Sequence, residues 1–93
     1  MRRIERSTLF KRDYRRIKTA SRYRDLDIRL APLLELLVND RPLSPQYRDH
    51  ALSGDWTGFR DCCLWPDLLL LYAKPSPDLL YLVRLRSHAD LFS

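Results

Sequence analysis

The spacing of apolar residues changes halfway along the chain, from a helical period to strand-like runs. In the first part, an apolar side chain recurs every three or four residues, which predicts a helix with a buried stripe of Phe10, Tyr14, Ile17 and Ala20. Ser7 is a suitable N-cap, so we expect this helix to run from Ser7 to about Tyr23. The residues before the cap, 3–6, are expected to form a short strand.

A second helix is predicted from about Asp27 to Val38, because one of its faces carries Leu26, Leu30, Leu33, Leu34 and Leu37. Pro32 falls inside this span, where its missing N–H would break an internal hydrogen bond. The helix is therefore expected either to start late or to kink. Residues 39–45, which contain two prolines, form the loop that ends the helical half.

The second half of the chain predicts strands at residues 59–65, 68–73 and 79–86, with a proline-rich turn at 75–78. The middle strand is almost continuously apolar, which is typical of a central position in a sheet. Alternation in the first strand places Asp61 and Cys63 on one face. Alternation in the last strand predicts two faces. One face meets the helices and is formed by Tyr81, Val83 and Leu85. The other face carries the arginines and is formed by Leu82, Arg84 and Arg86.

A chain of 93 residues with 45% hydrophobic and 31% charged residues is typical of a globular protein and is long enough for one core. We therefore expect a single α+β domain over residues 1–93, with the helices on one small sheet. No apolar run reaches the length of a membrane span. The basic N-terminus is not followed by the apolar stretch of a secretory signal, so a cytoplasmic location without membrane contact is expected.

Positive charge is concentrated in the first helix. Residues 1–24 hold ten Lys or Arg and two acidic residues, a net charge of +8, so the rest of the chain carries −3 of the total of +5. This excess favours binding to nucleic-acid phosphates through Arg12, Arg15, Arg16 and Lys18. Two alternatives remain, a solvated face that keeps the domain soluble and a contact with an acidic protein.

The two cysteines are adjacent, and a disulfide between Cys62 and Cys63 would require strained geometry. Their spacing is not that of a metal site, although His50 or His88 could join Cys63. We expect no metal and no cofactor. Both cysteines are most simply small strand residues, and Trp56 and Trp65 are expected in the core.

Residues 49–67 hold a histidine, several carboxylates, an arginine and the only two glycines of the chain. Titratable groups of different pKa beside a cation are what general acid–base chemistry on a phosphodiester requires. Each group also has a structural interpretation. Asp61 could pair with Arg60 or Arg84, Asp67 could cap the turn before the central strand, and Arg84 could be an exposed edge charge.

The whole chain resembles the YafQ branch of the RelE/ParE toxin superfamily. The resemblance rests on the basic helical first half and on three motifs: Asp49-His50-x-Leu52-x-Gly54-x-Trp56-x-Gly58-x-Arg60-Asp61, Pro66-Asp67-x-Leu69-Leu70-Leu71-Tyr72, and Arg84 followed by Ser87-His88-Ala89-x-Leu91-Phe92. It implies a bacterial type II toxin that cleaves mRNA on the translating ribosome and is silenced by a cognate antitoxin. It also implies two helices packed on a small curved, mainly antiparallel sheet.

The resemblance further assigns acid–base positions to His50, Asp61, Asp67 and His88, and a phosphate contact to Arg84. Cleavage through the 2′-hydroxyl of the RNA needs a base, an acid and positive charge, and no metal. We therefore expect His88 as general acid and His50 or Asp67 as base, with the two histidines interchangeable in these roles.

The other assigned side chains would support this chemistry. Asp61 is expected to orient a histidine, and Arg84 with Arg86 to neutralise the phosphate. Phe92 either stacks on an RNA base or closes the end of the sheet with Leu91.

Cys63 departs from the family pattern, because relatives often have a histidine there and a thiol is a poorer proton carrier at neutral pH. This departure favours one alternative, a non-catalytic RNA-binding or translation-blocking protein. The other alternative is a gyrase inhibitor of the same superfamily, from which His50, Asp67 and His88 distinguish this chain because such relatives lack that set. The expected partners are mRNA, ribosomal RNA and an acidic antitoxin that is partly disordered until it wraps the toxin, in a complex that is a higher oligomer.

Overall fold

The computed structural model describes residues 1–87. Strand β1 (Arg3–Arg6) is followed by helices α1 (Thr8–Lys18) and α2 (Leu26–Val38), and then by strands β2 (His50–Ala51), β3 (Phe59–Trp65), β4 (Leu68–Ser76) and β5 (Leu79–Ser87). Short 3-10 turns occur at Ser21–Tyr23, Pro45–Tyr47 and Gly54–Trp56. Neither helix of residues 1–87 has the length and apolar character needed to cross a membrane.

Helix α1 begins as predicted, because the Ser7 hydroxyl accepts a hydrogen bond of 2.9 Å from the Phe10 N–H. It ends five residues earlier than expected, at Lys18, since the backbone of Ala20 is extended. Ala20 is therefore exposed, and its predicted place in the buried stripe is wrong. Tyr23, the expected helix end, is instead buried in a separate 3-10 turn.

Helix α2 buries Leu26, Leu30, Leu33, Leu37 and Val38 against the sheet, with Leu34 half-buried beside them. It begins one residue before the expected Asp27. That residue instead lies in the first turn, 3.3 Å from the Lys18 ammonium. Pro32 lies inside the continuous helix on its exposed side. Its ring removes one internal hydrogen bond, a cost that the buried leucine face offsets.

The strands form one sheet in the order β1-β5-β4-β3-β2, in which β1 is parallel to β5 and every other pair is antiparallel. This confirms the predicted α+β fold of two helices on a mainly antiparallel sheet. The almost continuously apolar β4 is central, as expected. Strand β2 was not predicted, because a strand of two residues leaves no alternation to detect. The predicted turn at 75–78 is shorter, since β4 extends to Ser76.

An irregularity in the pairing of β4 with β5 changes which side chains face the helices. Leu71 pairs with Arg84 and the next residue, Tyr72, pairs with Leu82, so Val83 is an extra residue in β5. Leu82 and Leu85 are consequently both buried in the core. The prediction that Leu82 lies on the arginine-bearing face is therefore wrong, and a uniform period of two does not hold along this strand.

Candidate active site

His50 and Asp61 face each other across the β2–β3 pair. They are direct partners in the register, and His50 Nε2 lies 3.0 Å from Asp61 Oδ1. The other ring nitrogen, Nδ1, lies 2.9 Å from the Arg48 carbonyl oxygen. The His50 side chain is 61% exposed and that of Asp61 only 16%. The sheet thus presents an accessible imidazole beside a largely buried carboxyl group.

Burial raises the pKa of the Asp61 carboxyl above its ordinary range. Nearby Asp49 adds to this rise in pKa, and the charge of His50 opposes it. Both ring nitrogens of His50 face oxygen atoms, Nδ1 the Arg48 carbonyl and Nε2 the Asp61 carboxyl group. An exposed imidazole beside a carboxyl group is an arrangement that general acid–base chemistry uses.

Asp49, immediately before His50, is held by two residues of the neighbouring strands. Arg60 donates to both of its carboxylate oxygens, at 3.4 and 2.9 Å, and the Tyr72 hydroxyl donates to Oδ1. Tyr72 is 2% exposed in central strand β4, and burial together with the hydrogen bond to Asp49 raises the pKa of its phenol. This network fixes the two-residue strand β2. Sequence reasoning missed it, although Asp49, Arg60 and Tyr72 all stand in the quoted motifs.

Arg84 is held by an acidic residue of α1. Asp13 accepts from Arg84 Nε at 2.7 Å and Nη2 at 3.1 Å, and also from the Leu85 N–H at 3.1 Å. Arg84 is thus not the solvated edge charge considered as an alternative, and neither Arg60 nor Arg84 is the partner of Asp61. Asp13 was not singled out from the sequence. The signal was present, since Asp13 is an acidic residue between Phe10 and Ile17 on the buried stripe of a basic helix.

Arg86 and Asp61 line the same shallow depression on the sheet face opposite the helices. It measures about 140 Å³, and its floor is formed by Leu69 and Leu71. Trp56 stands at its rim and is 47% exposed, so its predicted core position is wrong. The structure therefore brings His50, Asp61 and Arg86 together.

Asp67 lies apart from this depression, in the turn between β3 and β4. Its Oδ2 atom accepts a hydrogen bond of 2.8 Å from the Tyr23 hydroxyl and pairs with Arg22, both in the connection between the helices. Its Oδ1 atom is buried and has no hydrogen-bond partner within residues 1–87. Ser87 pairs with Leu68, the residue after Asp67, so β5 ends beside this turn.

Cys63 pairs with Leu69 and is half-buried, on β3 two residues beyond Asp61. Burial raises the pKa of its thiol, and the charge of Arg48 opposes this rise only in part. The thiol therefore stays protonated at neutral pH. The remaining candidates, His88 and Phe92, lie outside the described residues.

The basic face of α1 is exposed as predicted. Arg12, Arg15, Arg16 and Lys18 all point to solvent. Arg16 lies 3.6 Å from Asp13 and Lys18 lies 3.3 Å from Asp27, so two of the four charges have acidic neighbours. Within residues 1–87 there is no group of three His, Cys, Asp or Glu side chains arranged to hold a metal ion.

Two helices on a five-stranded sheet, with a histidine–aspartate pair and an arginine on its exposed side, define a toxin domain of the RelE/ParE type. The chain belongs to the YafQ family within this class. The family model described as "Bacterial toxin of type II toxin-antitoxin system, YafQ" matches residues 2–93.

Individual relatives agree over nearly the whole chain. The mRNA interferase toxin YafQ of Escherichia coli strain B is 40% identical over 91 residues, which cover 96% of this chain and 94% of the relative. The crystal structure of YafQ from E. coli BL21(DE3) superposes with a TM-score of 0.82 at 35% identity and full coverage of both chains.

Two further solved structures show relatives in bound states. The E. coli DinJ–YafQ complex matches with a TM-score of 0.82 at 36% identity and covers all of both chains. A metal-bound toxin from Helicobacter pylori matches with a TM-score of 0.80 at 39% identity, over 99% of this chain and all of that one.

Proposed function

We propose that this protein is an mRNA endonuclease toxin that cuts messages on the ribosome by acid–base catalysis through the 2′-hydroxyl. The observation that carries the proposal is the exposed imidazole of His50 held 3.0 Å from the nearly buried carboxylate of Asp61, in a protein whose relatives are mRNA interferases. Arg86 lines the depression beside this pair and supplies the positive charge that a phosphodiester requires.

His50 is the base in this proposal. Asp67 is engaged by Tyr23 and Arg22, whereas the His50 ring is exposed and can turn outward toward a bound 2′-hydroxyl. The imidazole takes the hydroxyl proton, and the 2′-oxygen then forms a bond to the phosphorus. The ring then returns to its place, with Nδ1 2.9 Å from the Arg48 carbonyl oxygen and Nε2 3.0 Å from the Asp61 carboxylate.

His88 is the acid. It donates its proton to the 5′-oxygen as the bond from that oxygen to phosphorus breaks, which leaves a 2′,3′-cyclic phosphate on one product and a 5′-hydroxyl on the other. Its neighbour Ser87 pairs with Leu68 beside Asp67, so Asp67 is suited to orient His88 rather than to act as base. Arg84 and Arg86 neutralise the phosphate, and Phe92 stacks on a base.

The basic face of α1 binds the ribosome in this proposal. Arg12 and Arg15 are exposed on one helix and would contact ribosomal RNA phosphates. Such contacts weaken steeply with added salt. A cognate acidic antitoxin silences the toxin, by analogy with the DinJ–YafQ complex of the relative.

The test is a translation reaction with purified protein in which the message is mapped by primer extension. Wild-type protein should cut the message, while His50→Ala and His88→Ala should each abolish cutting without loss of folding. Asp55→Asn, a change in an exposed loop, is the matched control and should cut normally. Intact messages with arrested translation would instead identify a translation blocker, and unaffected translation would refute a ribosomal target.

A further inference from the structure

A second cavity opens between α2 and the edge of β3, and neither His50 nor Arg86 is among its lining residues. It measures about 520 Å³ and is lined by Arg29, Tyr47, Arg48, Cys63 and Trp65, among others; we call it the α2–β3 groove. Its size falls within the roughly 300–1,000 Å³ range that small-molecule and nucleotide sites occupy. We propose that this groove binds a nucleotide of the message next to the cleaved bond.

The groove adjoins the proposed catalytic pair directly. Arg48 contributes its side chain to the groove and its carbonyl oxygen to His50 Nδ1, at 2.9 Å. Cys63 lines the groove and lies two residues after Asp61 on the same strand face. A chain of RNA whose 2′-hydroxyl reaches His50 would therefore bring a neighbouring nucleotide to the groove.

The charge of the groove suits a polyanion. Arg29 and Arg48 both line it, both are exposed, and no carboxylate of residues 1–87 lies among the lining side chains. The depression lined by Arg86 differs, since Asp61 also lines it. An RNA phosphate thus meets two cations in the groove without a competing acid.

The groove also offers a stacking surface. The Arg29 guanidinium lies over the Trp65 ring at 4.7 Å from its centroid, and Tyr23 supports the same ring edge-on at 5.1 Å. Unpaired bases stack on aromatic rings and on arginine planes. The layer of Arg29 and Trp65 therefore provides a platform for a base while Arg48 contacts its phosphate.

An extended peptide is the competing occupant. Strand β2 pairs only with Arg60 and Asp61 of β3, so the following residues of β3 present a strand edge to the groove with which a peptide could pair. Arg29 Nη1 already approaches the Leu64 carbonyl at 3.4 Å on that edge. The paired arginines and the shared contact with His50 favour RNA over a peptide strand.

The experiment measures single-turnover cleavage on programmed ribosomes as a function of message concentration. It rests on the proposed function, so cleavage by the wild-type protein is established first. Arg29→Met and Arg48→Met should each raise the half-saturating message concentration at least about fivefold and leave the maximal rate within about twofold, as expected for a lost phosphate or stacking contact. Arg29→Lys keeps the charge without the stacking plane and should give an intermediate value. Arg41→Met, at an exposed arginine beyond the end of α2, is the control and should match wild type.

Three results would overturn the inference while leaving the nuclease itself intact. The first is unchanged half-saturation in both variants. The second is a selective loss of antitoxin affinity with normal cleavage, which would assign the groove to a peptide. Crosslinking of a 4-thiouridine-labelled message to Trp65 or Cys63 tests occupancy independently of cleavage. Labelled message that binds to the wild-type protein but forms no crosslink in the groove would also overturn the proposal. Failure of the wild-type protein to cleave would by itself refute only the catalytic function.

Discussion

Replacing Asp13 with alanine should destabilise the fold more than any other single change to a charged residue of α1. The carboxylate is 5% exposed and accepts three hydrogen bonds, two from Arg84 and one from the Leu85 N–H. Alanine removes the bidentate acceptor of the partly buried Arg84 guanidinium, and it removes the acceptor of the Leu85 N–H in β5.

The size of the effect follows from the burial of both partners. Removing one member of a buried ion pair lowers the free energy of unfolding by about 3–5 kcal/mol. Because the Arg84 side chain is 25% exposed, we expect a loss of about 3 kcal/mol here. Domains of this size have a total stability of roughly 5–15 kcal/mol, so the loss is a large share of it. At about 4–8 °C per kcal/mol, the melting temperature should fall by about 12–24 °C.

The assay is urea and thermal denaturation followed by circular dichroism. The double variant Asp13→Ala/Arg84→Met should be more stable than Asp13→Ala by at least about 1 kcal/mol, because it also removes the partly buried guanidinium that has lost the Asp13 carboxylate. Asp55→Asn serves as the exposed control and should stay within about 0.5 kcal/mol of wild type. A melting temperature for Asp13→Ala within about 4 °C of wild type, or a double variant no more stable than the single one, would refute the assignment of a buried ion pair.

Three further predictions concern the site. Burial raises the pKa of Asp61, so the folded protein keeps this proton to higher pH than the unfolded chain and loses stability as pH rises through the folded pKa. Asp61→Asn should therefore gain stability relative to wild type as the pH rises above the ordinary aspartate pKa of about 3.9, measured by urea titrations at several pH values, and parallel curves would contradict the effect. Cys63→Ser should change message cleavage less than about threefold because the thiol is protonated at neutral pH, whereas a tenfold fall would give the thiol a catalytic role. Tyr72→Phe removes the hydrogen bond to Asp49 and should lower the free energy of unfolding by about 1.5–3 kcal/mol, measured by urea denaturation. It should also lower message cleavage, because β2 is held less firmly. A variant as stable and active as wild type would show that Asp49 does not hold His50.

The sequence predicted the parts of the fold in which one period persists. The leucine face of α2 and the apolar β4 are long regular patterns, and both form the elements expected of them. The prediction for β5 failed at Val83, since an extra residue in one strand shifts the alternation without leaving a mark in the strand's own sequence. Such a bulge depends on the partner strand, which the local pattern does not include.

The role of Asp61 beside a histidine was expected from the family resemblance and not from the strand register, because strand β2 was not predicted. The structure then places His50 and Asp61 as direct partners across β2 and β3. The partners of Arg84 and Asp67 were not predictable, because Asp13 and Tyr23 come from the helical half, far away in the chain. Contacts at sequence separations of 71 and 44 residues depend on how the helices pack on the sheet.

These long-range contacts give the basic N-terminal half a structural role besides the proposed binding of nucleic acid. Two candidate site residues are held by side chains from the helical half. Asp13 of α1 binds Arg84, and Tyr23 and Arg22, from the connection between the helices, bind Asp67. His50 is the exception, since its support comes from Asp61 and from the Asp49 network within the sheet. Loosening α1 from the sheet should therefore disturb Arg84 and Asp67 while the His50–Asp61 pair persists. A change such as Asp13→Ala then acts on stability and on the proposed phosphate contact of Arg84 together, whereas a change at Tyr72 acts on the proposed base.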